Sequence, residues 1–90
     1  MNLTNADLEK ANLTRANLTR ADLFRADLSM ANLHGVNLSG ANLSEANMAD
    51  VNLTNVDLTG ATMSMEDAEL GGAIFCDTKI PDGTKNNSGC

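Results

Sequence analysis

Large apolar residues recur along this chain at a spacing of five, from Leu3 to Met63. From Leu8 onward a small apolar residue, Ala or Val, stands two positions before each of them, and the residue between the two is nearly always Asn or Asp. The repeating unit is therefore A-[ND]-L-x-x. The large apolar residues of the series are Leu3, Leu8, Leu13, Leu18, Leu23, Leu28, Leu33, Leu38, Leu43, Met48, Leu53, Leu58 and Met63.

A spacing of five fits neither regular secondary structure. On an α-helix, a step of five residues turns the side chain by about 140°, so the leucines would scatter around the cylinder. In a flat strand the side-chain period is two, so successive leucines would point to opposite faces. Both conflicts disappear if the chain turns a corner every five residues. Ala and Leu then point inward, Asn or Asp points outward, and the last two residues form the corner.

A chain that turns the same way at every corner coils, and neighbouring coils pair as strands do, ~4.8 Å apart. The pattern therefore predicts an all-β solenoid. Asn and Asp suit the outward position because their short side chains bond nearby backbone groups at turns. Gly35, Gly40, Gly60 and Gly72 occupy the last position of the unit, where a corner calls for a positive φ.

The amino-acid composition indicates the type of core and argues against some classes of function. The chain has two Phe and no Trp or Tyr, which indicates an aliphatic, repetitive core. The net charge of −6 argues against direct nucleic-acid binding, which needs clustered Lys and Arg. The sequence contains no apolar stretch of membrane-spanning length and no visible secretory signal, so no membrane association is expected. We expect a cytoplasmic protein, unless a leader has been removed.

The register of the repeat breaks once. After Met65 the pattern resumes two residues late, so that Glu66 and Asp67 are extra. They are interpreted as a bulge or a short loop on one edge. The expected domains are a β-helix over residues 1–82, with a register break at 66–67, and a tail over residues 83–90.

The tandem A-[ND]-L-x-x unit resembles the pentapeptide-repeat family over nearly the whole chain. This resemblance implies a right-handed quadrilateral β-helix, here of about four coils. Twenty residues would make one coil, so Leu3, Leu23, Leu43 and Met63 should stack in one column.

Residues 75–90 resemble the C-terminal tail of many cyanobacterial and chloroplast-lumen members of the family. Such a tail would fold over the last coil and cap it, which would allow a disulfide between Cys76 and Cys90. Two free thiols in a reducing cytoplasm are the alternative. If a leader has been removed, the compartment would be the thylakoid lumen or the periplasm.

The sequence offers little for catalysis. His34 is the only histidine, and Cys76 and Cys90 do not complete a metal-ligand spacing with it. There is no phosphate-binding loop and no nucleophile motif, and a filled coil has no interior cavity for a substrate. We expect no enzyme, no cofactor and no metal.

Two groups of charged residues are candidate interaction surfaces. The first, called the acidic face, follows one side of the coil; the second, called the cationic belt, occupies the last position of four successive units. The acidic face consists of Asp7, Glu9, Asp27, Asp50 and Glu69. The cationic belt consists of Lys10, Arg15, Arg20 and Arg25.

The resulting hypothesis is a rigid, non-enzymatic scaffold that binds an unknown protein. The repeat is already in register at Met1, which raises an end-to-end homodimer, a fragment of a longer protein, or an engineered chain as interpretations. The alternative function comes from the resemblance, since some acidic, rod-shaped members of the family mimic duplex DNA and inhibit type II topoisomerases such as gyrase.

Overall fold

A computed structural model describes residues 2–90 of the chain, except for the side chain of Glu69. It has one helix, α1 (Met65–Leu70), and two short antiparallel strands, β1 (Thr78–Lys79) and β2 (Lys85–Asn86). Before α1, single bridge residues alternate with two-residue turns in every five-residue unit. Among the described residues no helix is both long and apolar enough to span a bilayer.

Parallel bridges connect residues that are twenty apart, as in the series Asn2, Asp22, Asn42 and Thr62. Four units of five therefore complete one coil, and the coil has four sides. The same period runs through a second side, where Asp7 pairs with Asp27. The outward Asn and Asp residues thus mark the middle of each side.

An inner pentapeptide can satisfy all five of its backbone N–H groups, as the unit 36–40 shows. The first N–H closes the preceding turn, the second donates to the coil before, and the third and fifth donate to the coil after. The fourth, on Ser39, donates to Oδ1 of Asn37 at 3.0 Å. Buried backbone donors need such partners, so Asn or Asp at the outward position completes the hydrogen bonding of every corner.

The last residue of every unit from 5 to 60 has a positive φ, including residues with long side chains such as Lys10 (61°) and Arg15 (63°). Glycine adopts this conformation freely, whereas other L-residues are penalised there. Gly35 and Gly40 are thus suited to corners with φ near 70°. The corner imposes the conformation, whichever residue stands there.

The core consists of aliphatic columns inside the coil. Leu23, Leu28, Leu33 and Leu38 are fully buried, and alanines such as Ala21 fill the tighter positions beside them. Leu23 donates its N–H to the carbonyl of the outward residue in the next coil, which keeps the leucine columns aligned. Burial of this apolar surface supplies the main driving force for folding.

The structure differs from the prediction at the register break, because Glu66 and Asp67 lie in α1 and not in a bulge or a short loop. Ser64 caps the helix: its carbonyl accepts from Ala68 N–H, and its Oγ accepts from Asp67 N–H at 3.2 Å. The chain leaves the helix through Gly72, whose φ is 86°. Beyond α1 the bridges connect residues twenty-two apart, such as Asn52 and Ile74.

Leu70 shows the effect of this helix on side-chain direction. The repeat predicts that Ala68 and Leu70 both point inward, yet Ala68 is 3% exposed and Leu70 is 79% exposed. Residues two apart share one side of an extended segment but point to nearly opposite sides of an α-helix. Only one of the two can therefore reach the core, and the smaller residue does.

Candidate interaction surfaces

Three residues of the acidic face come together on one side of the coil. One carboxylate oxygen each of Asp7, Glu9 and Asp27 lies within 4.8 Å of the others. Asp7 and Asp27 are paired in neighbouring coils, while Glu9 belongs to the turn after Asp7 and donates its N–H to Asp7 Oδ1 at 3.2 Å. The repeat therefore concentrates negative charge at one surface point.

Asp27 is held in its charged form by its neighbour. Ser29 donates from Oγ to Asp27 Oδ1 at 2.6 Å, and the Ser29 N–H donates to the same oxygen at 3.0 Å. These two hydrogen bonds, the side-chain bond first, lower the pKa of Asp27 below its ordinary value. The charge at this point of the face therefore persists into acidic solution.

The other two residues of the predicted acidic face are not part of that trio. Asp50 lies at a corner with φ 55°, and its Oδ1 is 2.7 Å from where a Cβ on Gly72 would stand. Its carboxylate is therefore directed along the rod toward α1, away from Asp27. Glu69 belongs to α1, and its side chain lies outside the described part of the structure.

The residues of the cationic belt occupy four successive corners. The side-chain stems of Arg15 and Arg20 run along the rod over glycines of the next coil: a Cβ on Gly35 would lie 3.3 Å from Arg15 Cγ, and one on Gly40 would lie 3.2 Å from Arg20 Cγ. Glycine in the next coil thus leaves room for the arginine stem below it.

Arg25 has a different neighbour along its corner. Its Nε lies 3.5 Å from Glu45 Oε1, with both side chains more than half exposed, and its guanidinium stands 5.0 Å from the Phe24 ring centre. An ion pair this exposed contributes little to stability. The belt is thus partly neutralised at this corner.

His34 is half-buried at the fourth position of its unit, and its backbone N–H donates to Asn32 Oδ1. Among the described side chains, the trio of the acidic face is the one cluster with metal-ligand spacing, and His34 is not in it. Nothing in its surroundings distinguishes it from the other turn residues.

The C-terminal tail takes two of the hydrogen-bonding places that a further coil would take. The Asp77 N–H donates to Asn87 Oδ1 at 2.6 Å, where an inner unit would donate to the fourth carbonyl of the next coil. The Ile80 N–H donates to the Thr84 carbonyl at 2.8 Å. Asp77 and Ile80 thus supply one onward-facing donor from each of the last two units, and the tail provides a partner for each.

Cys76 and Cys90 form a disulfide with Cα atoms 5.1 Å apart, which ties the end of the tail to the last coil. Next to it, Gly89 donates its N–H to the Phe75 carbonyl at 2.7 Å. Lys85 Nζ lies 2.8 Å from Asp77 Oδ1 in a pair with both side chains more than half exposed. The covalent link therefore accompanies the β1–β2 pairing and a few further polar contacts.

A cavity of about 160 Å³ lies between α1 and the coil that it covers. Its apolar lining includes Leu43, Met48 and Met63, with Ser64 and Asp67 at the helix. Small-molecule sites are typically about 300 Å³ or more, so this space is small for a ligand. Sequence reasoning missed both the helix and the cavity; the signal was the capping sequence Ser64-Met65-Glu66-Asp67.

Comparisons with known proteins agree on one family. The family model "Pentapeptide repeats" matches residues 2–40, 26–64 and 37–75, and no curated protein matches the chain. Among solved structures, the chain is 34% identical to HetL from the cyanobacterium Nostoc, a pentapeptide repeat protein involved in regulating heterocyst differentiation, with a TM-score of 0.64. The match covers 94% of this chain and 40% of HetL.

Two further structures share the fold. A pentapeptide repeat protein from Nostoc, alr5209, is 32% identical with a TM-score of 0.59, over 96% of this chain and 75% of that one. A pentapeptide repeat protein from the thylakoid lumen of Arabidopsis thaliana is 24% identical with a TM-score of 0.56, over 99% of this chain and 79% of that one. Each of these three proteins is described by its repeat, and none by a catalytic activity.

Proposed function

Because the chain belongs to the pentapeptide-repeat family, whose fold is the right-handed quadrilateral β-helix, we propose that it is a rigid, non-enzymatic scaffold that binds a protein partner. The bridges at twenty-residue spacing, continued at twenty-two beyond α1, support a rod of about four coils. With its backbone donors paired within and between coils, such a rod presents its outward side chains at fixed positions.

The observation that carries the proposal is the trio Asp7, Glu9 and Asp27. The coil places its three carboxylates within 4.8 Å of one another, and hydrogen bonds from the turns fix those of Asp7 and Asp27, which lowers the cost of ordering them on binding. A protein with a basic surface patch is electrostatically complementary to this acidic trio. Opposite charges steer the association of the two surfaces and fix the binding register. The partner is therefore a protein that brings Lys or Arg to this side of the rod.

The regulatory role of HetL is compatible with action by binding. HetL is a pentapeptide repeat protein involved in regulating heterocyst differentiation. Regulation by a non-enzymatic protein is exerted by binding other molecules. The chain spans 40% of the length of HetL, so this proposal concerns the surface of the described coils.

A pull-down with a triple variant tests the scaffold. Asp7→Asn, Glu9→Gln and Asp27→Asn remove the charge of the trio but keep the oxygens of residues 7 and 27 that accept from their turns, so the coil is preserved. The matched control, Asp22→Asn, Asp57→Asn and Glu66→Gln, removes the same charge elsewhere. We expect the native chain and the control to retain the same partner from a cyanobacterial lysate and the triple variant to lose it. Equal recovery by all three chains would refute the role of the trio.

The same three chains, used as baits in the pull-down, also distinguish the scaffold from the DNA-mimic alternative. If the retained partner is a topoisomerase subunit, the chain should inhibit gyrase-catalysed supercoiling, and the triple variant should not. The end-to-end homodimer is tested by the molar mass in solution, measured by light scattering over a range of concentrations.

The proposed compartment is inferred from the disulfide between the two cysteines. Disulfides persist in oxidising compartments and are rare in the cytoplasm. The pairing of Cys76 with Cys90 therefore favours the thylakoid lumen or the periplasm over the cytoplasm. Labelling of free thiols in freshly lysed cells would decide between them.

A further inference from the structure

The tail 83–90 covers the onward end of the β-helix but is hardly part of its core. Every residue of it is exposed except Asn86, which is half-buried. Its contacts with the last coil are the antiparallel pairing of β2 with β1, the hydrogen bonds to Asp77, Ile80 and Phe75, the exposed ion pair of Lys85, and the disulfide. We propose that the Cys76–Cys90 disulfide is a redox latch: its reduction by a protein dithiol releases residues 87–90, which lie beyond β2, and uncovers the corner at Asp77.

The disulfide is open to the reductant. Cys90 is exposed and Cys76 is half-buried, so a thiolate of the dithiol reaches the sulfur of Cys90 first. Attack there forms a mixed disulfide and expels the Cys76 thiolate, which takes up a proton. The second thiol of the reductant then displaces Cys90 and closes the reductant's own disulfide. Two electrons and two protons have then passed to the chain, and exposed disulfides are the ones that react in this way.

Release of the tail follows from the balance of its contacts. Beyond β2, two hydrogen bonds to Asp77 and Phe75 contribute little, whereas holding the four exposed residues 87–90 in one conformation has an entropic cost. The disulfide removes much of that cost by joining Cys90 to Cys76 in advance. Without it, the free state of residues 87–90 is favoured.

The last coil stays in place when the tail leaves, because its own contacts are independent of the disulfide. Asn55 N–H donates to the Cys76 carbonyl, and Leu58 N–H donates to the Lys79 carbonyl. Thr78 is fully buried and donates from Oγ1 to the Leu53 carbonyl at 2.7 Å. Reduction therefore exposes the N–H of Asp77, while the Ile80 N–H stays bonded to the Thr84 carbonyl within the β1–β2 hairpin. An unpaired backbone donor at the edge of a β-structure is the kind of group that pairs with an added strand.

Amide hydrogen exchange, followed by NMR on the full chain, tests the latch without any partner. We compare the oxidised chain with the chain reduced by dithiothreitol. Exchange at Asp77 should become faster by roughly tenfold or more on reduction, while exchange at Ile80, Asn55 and Leu58 stays within about twofold. Unchanged exchange at Asp77 would overturn the proposal. Equal acceleration at all four amides would also overturn it, because the disulfide would then hold the whole coil.

Two controls complete the experiment. The double variant Cys76→Ser, Cys90→Ser should exchange like the reduced chain with and without dithiothreitol, which removes any direct effect of the reductant. Thiol labelling should show that dithiothreitol reduces the native chain without denaturant; thiols that appear only in denaturant would contradict the accessible latch. These outcomes do not depend on whether the acidic face binds a partner.

Discussion

Gly89 lies directly on the backbone of Phe75: its N–H donates to the Phe75 carbonyl at 2.7 Å, and a Cβ on Gly89 would stand 2.9 Å from Phe75 N and 3.0 Å from Phe75 O. Neither backbone atom can move aside without disturbing the last coil. The tail thus reaches the end of the rod only because residue 89 has no side chain.

Gly89→Ala should therefore lift the tail even when the disulfide is intact. We expect faster amide exchange at Asp77 in the oxidised variant, since the added methyl group cannot be accommodated. Ser88→Ala is the control, because it changes an exposed tail residue without adding a Cβ. If the two variants exchange alike, the close approach of Gly89 is not what seats the tail.

Asn32→Ala should destabilise the fold by about 1 kcal/mol, because the N–H of half-buried His34 loses Asn32 Oδ1 as its partner. Asn32→Asp keeps the acceptor and should retain most of the stability at neutral pH. Urea unfolding of the three chains measures the difference. Equal losses for Ala and Asp would show that the side-chain oxygen is not what matters at the outward position.

The stability of the chain should fall in acid partly through Asp27. The hydrogen bond from Ser29 lowers the pKa of Asp27 in the folded chain below the ordinary 3.8. A lowered folded pKa stabilises the fold at pH values above the unfolded pKa, and this stabilisation is lost as the pH falls through the folded value. The loss therefore appears below about pH 4 and is absent at neutral pH.

Ser29→Ala should raise the pKa of Asp27 toward its ordinary value, as an NMR titration of its carboxyl carbon would show. Ser39→Ala is the matched control, because Ser39 stands at the same place in its unit beside uncharged Asn37. An Asp27 pKa that is the same in both variants would remove the Ser29 hydroxyl as the cause. Asp82 has a lowered pKa for the same reason, a hydrogen bond from Thr84.

Leu70→Ala should change the free energy of unfolding by less than about 0.5 kcal/mol, as expected for an exposed position. Leu58 occupies the corresponding place in an uninterrupted unit and is fully buried, so Leu58→Ala should cost about 2–5 kcal/mol. Thermal or urea unfolding of both variants compares them. A large loss for Leu70→Ala would mean that this leucine points into the core after all.

The family and its β-helix could be predicted from the sequence, and the comparisons confirm both, because a period of five leaves few ways to bury the leucines. The positive φ at the corners was harder to predict from the sequence. The corner conformation is imposed on Lys10 and Arg15 as firmly as on glycine, so residue type alone does not reveal it.

The prediction failed at Leu70 because the sequence Ala68-Glu69-Leu70 fits the repeat as well as it fits a helix. Local capping decided between them: Ser64 offers both its carbonyl and its hydroxyl to the first turn of α1. The position of Asp50 was missed for a related reason, since its carboxylate follows the space at Gly72 beside this helix. Both differences arise where the repeat is interrupted.

The interruption of the repeat also makes one position on the rod distinguishable from all the others. Along the uninterrupted coils the surface repeats every five residues on successive sides and every twenty on the same side, so a partner that reads backbone shape alone meets many equivalent positions. The helix Met65–Leu70 occurs at a single place and on a single side, with Leu70 standing out from it. A partner that binds at this helix can therefore bind the rod in a single orientation, at one end and on one of its four sides.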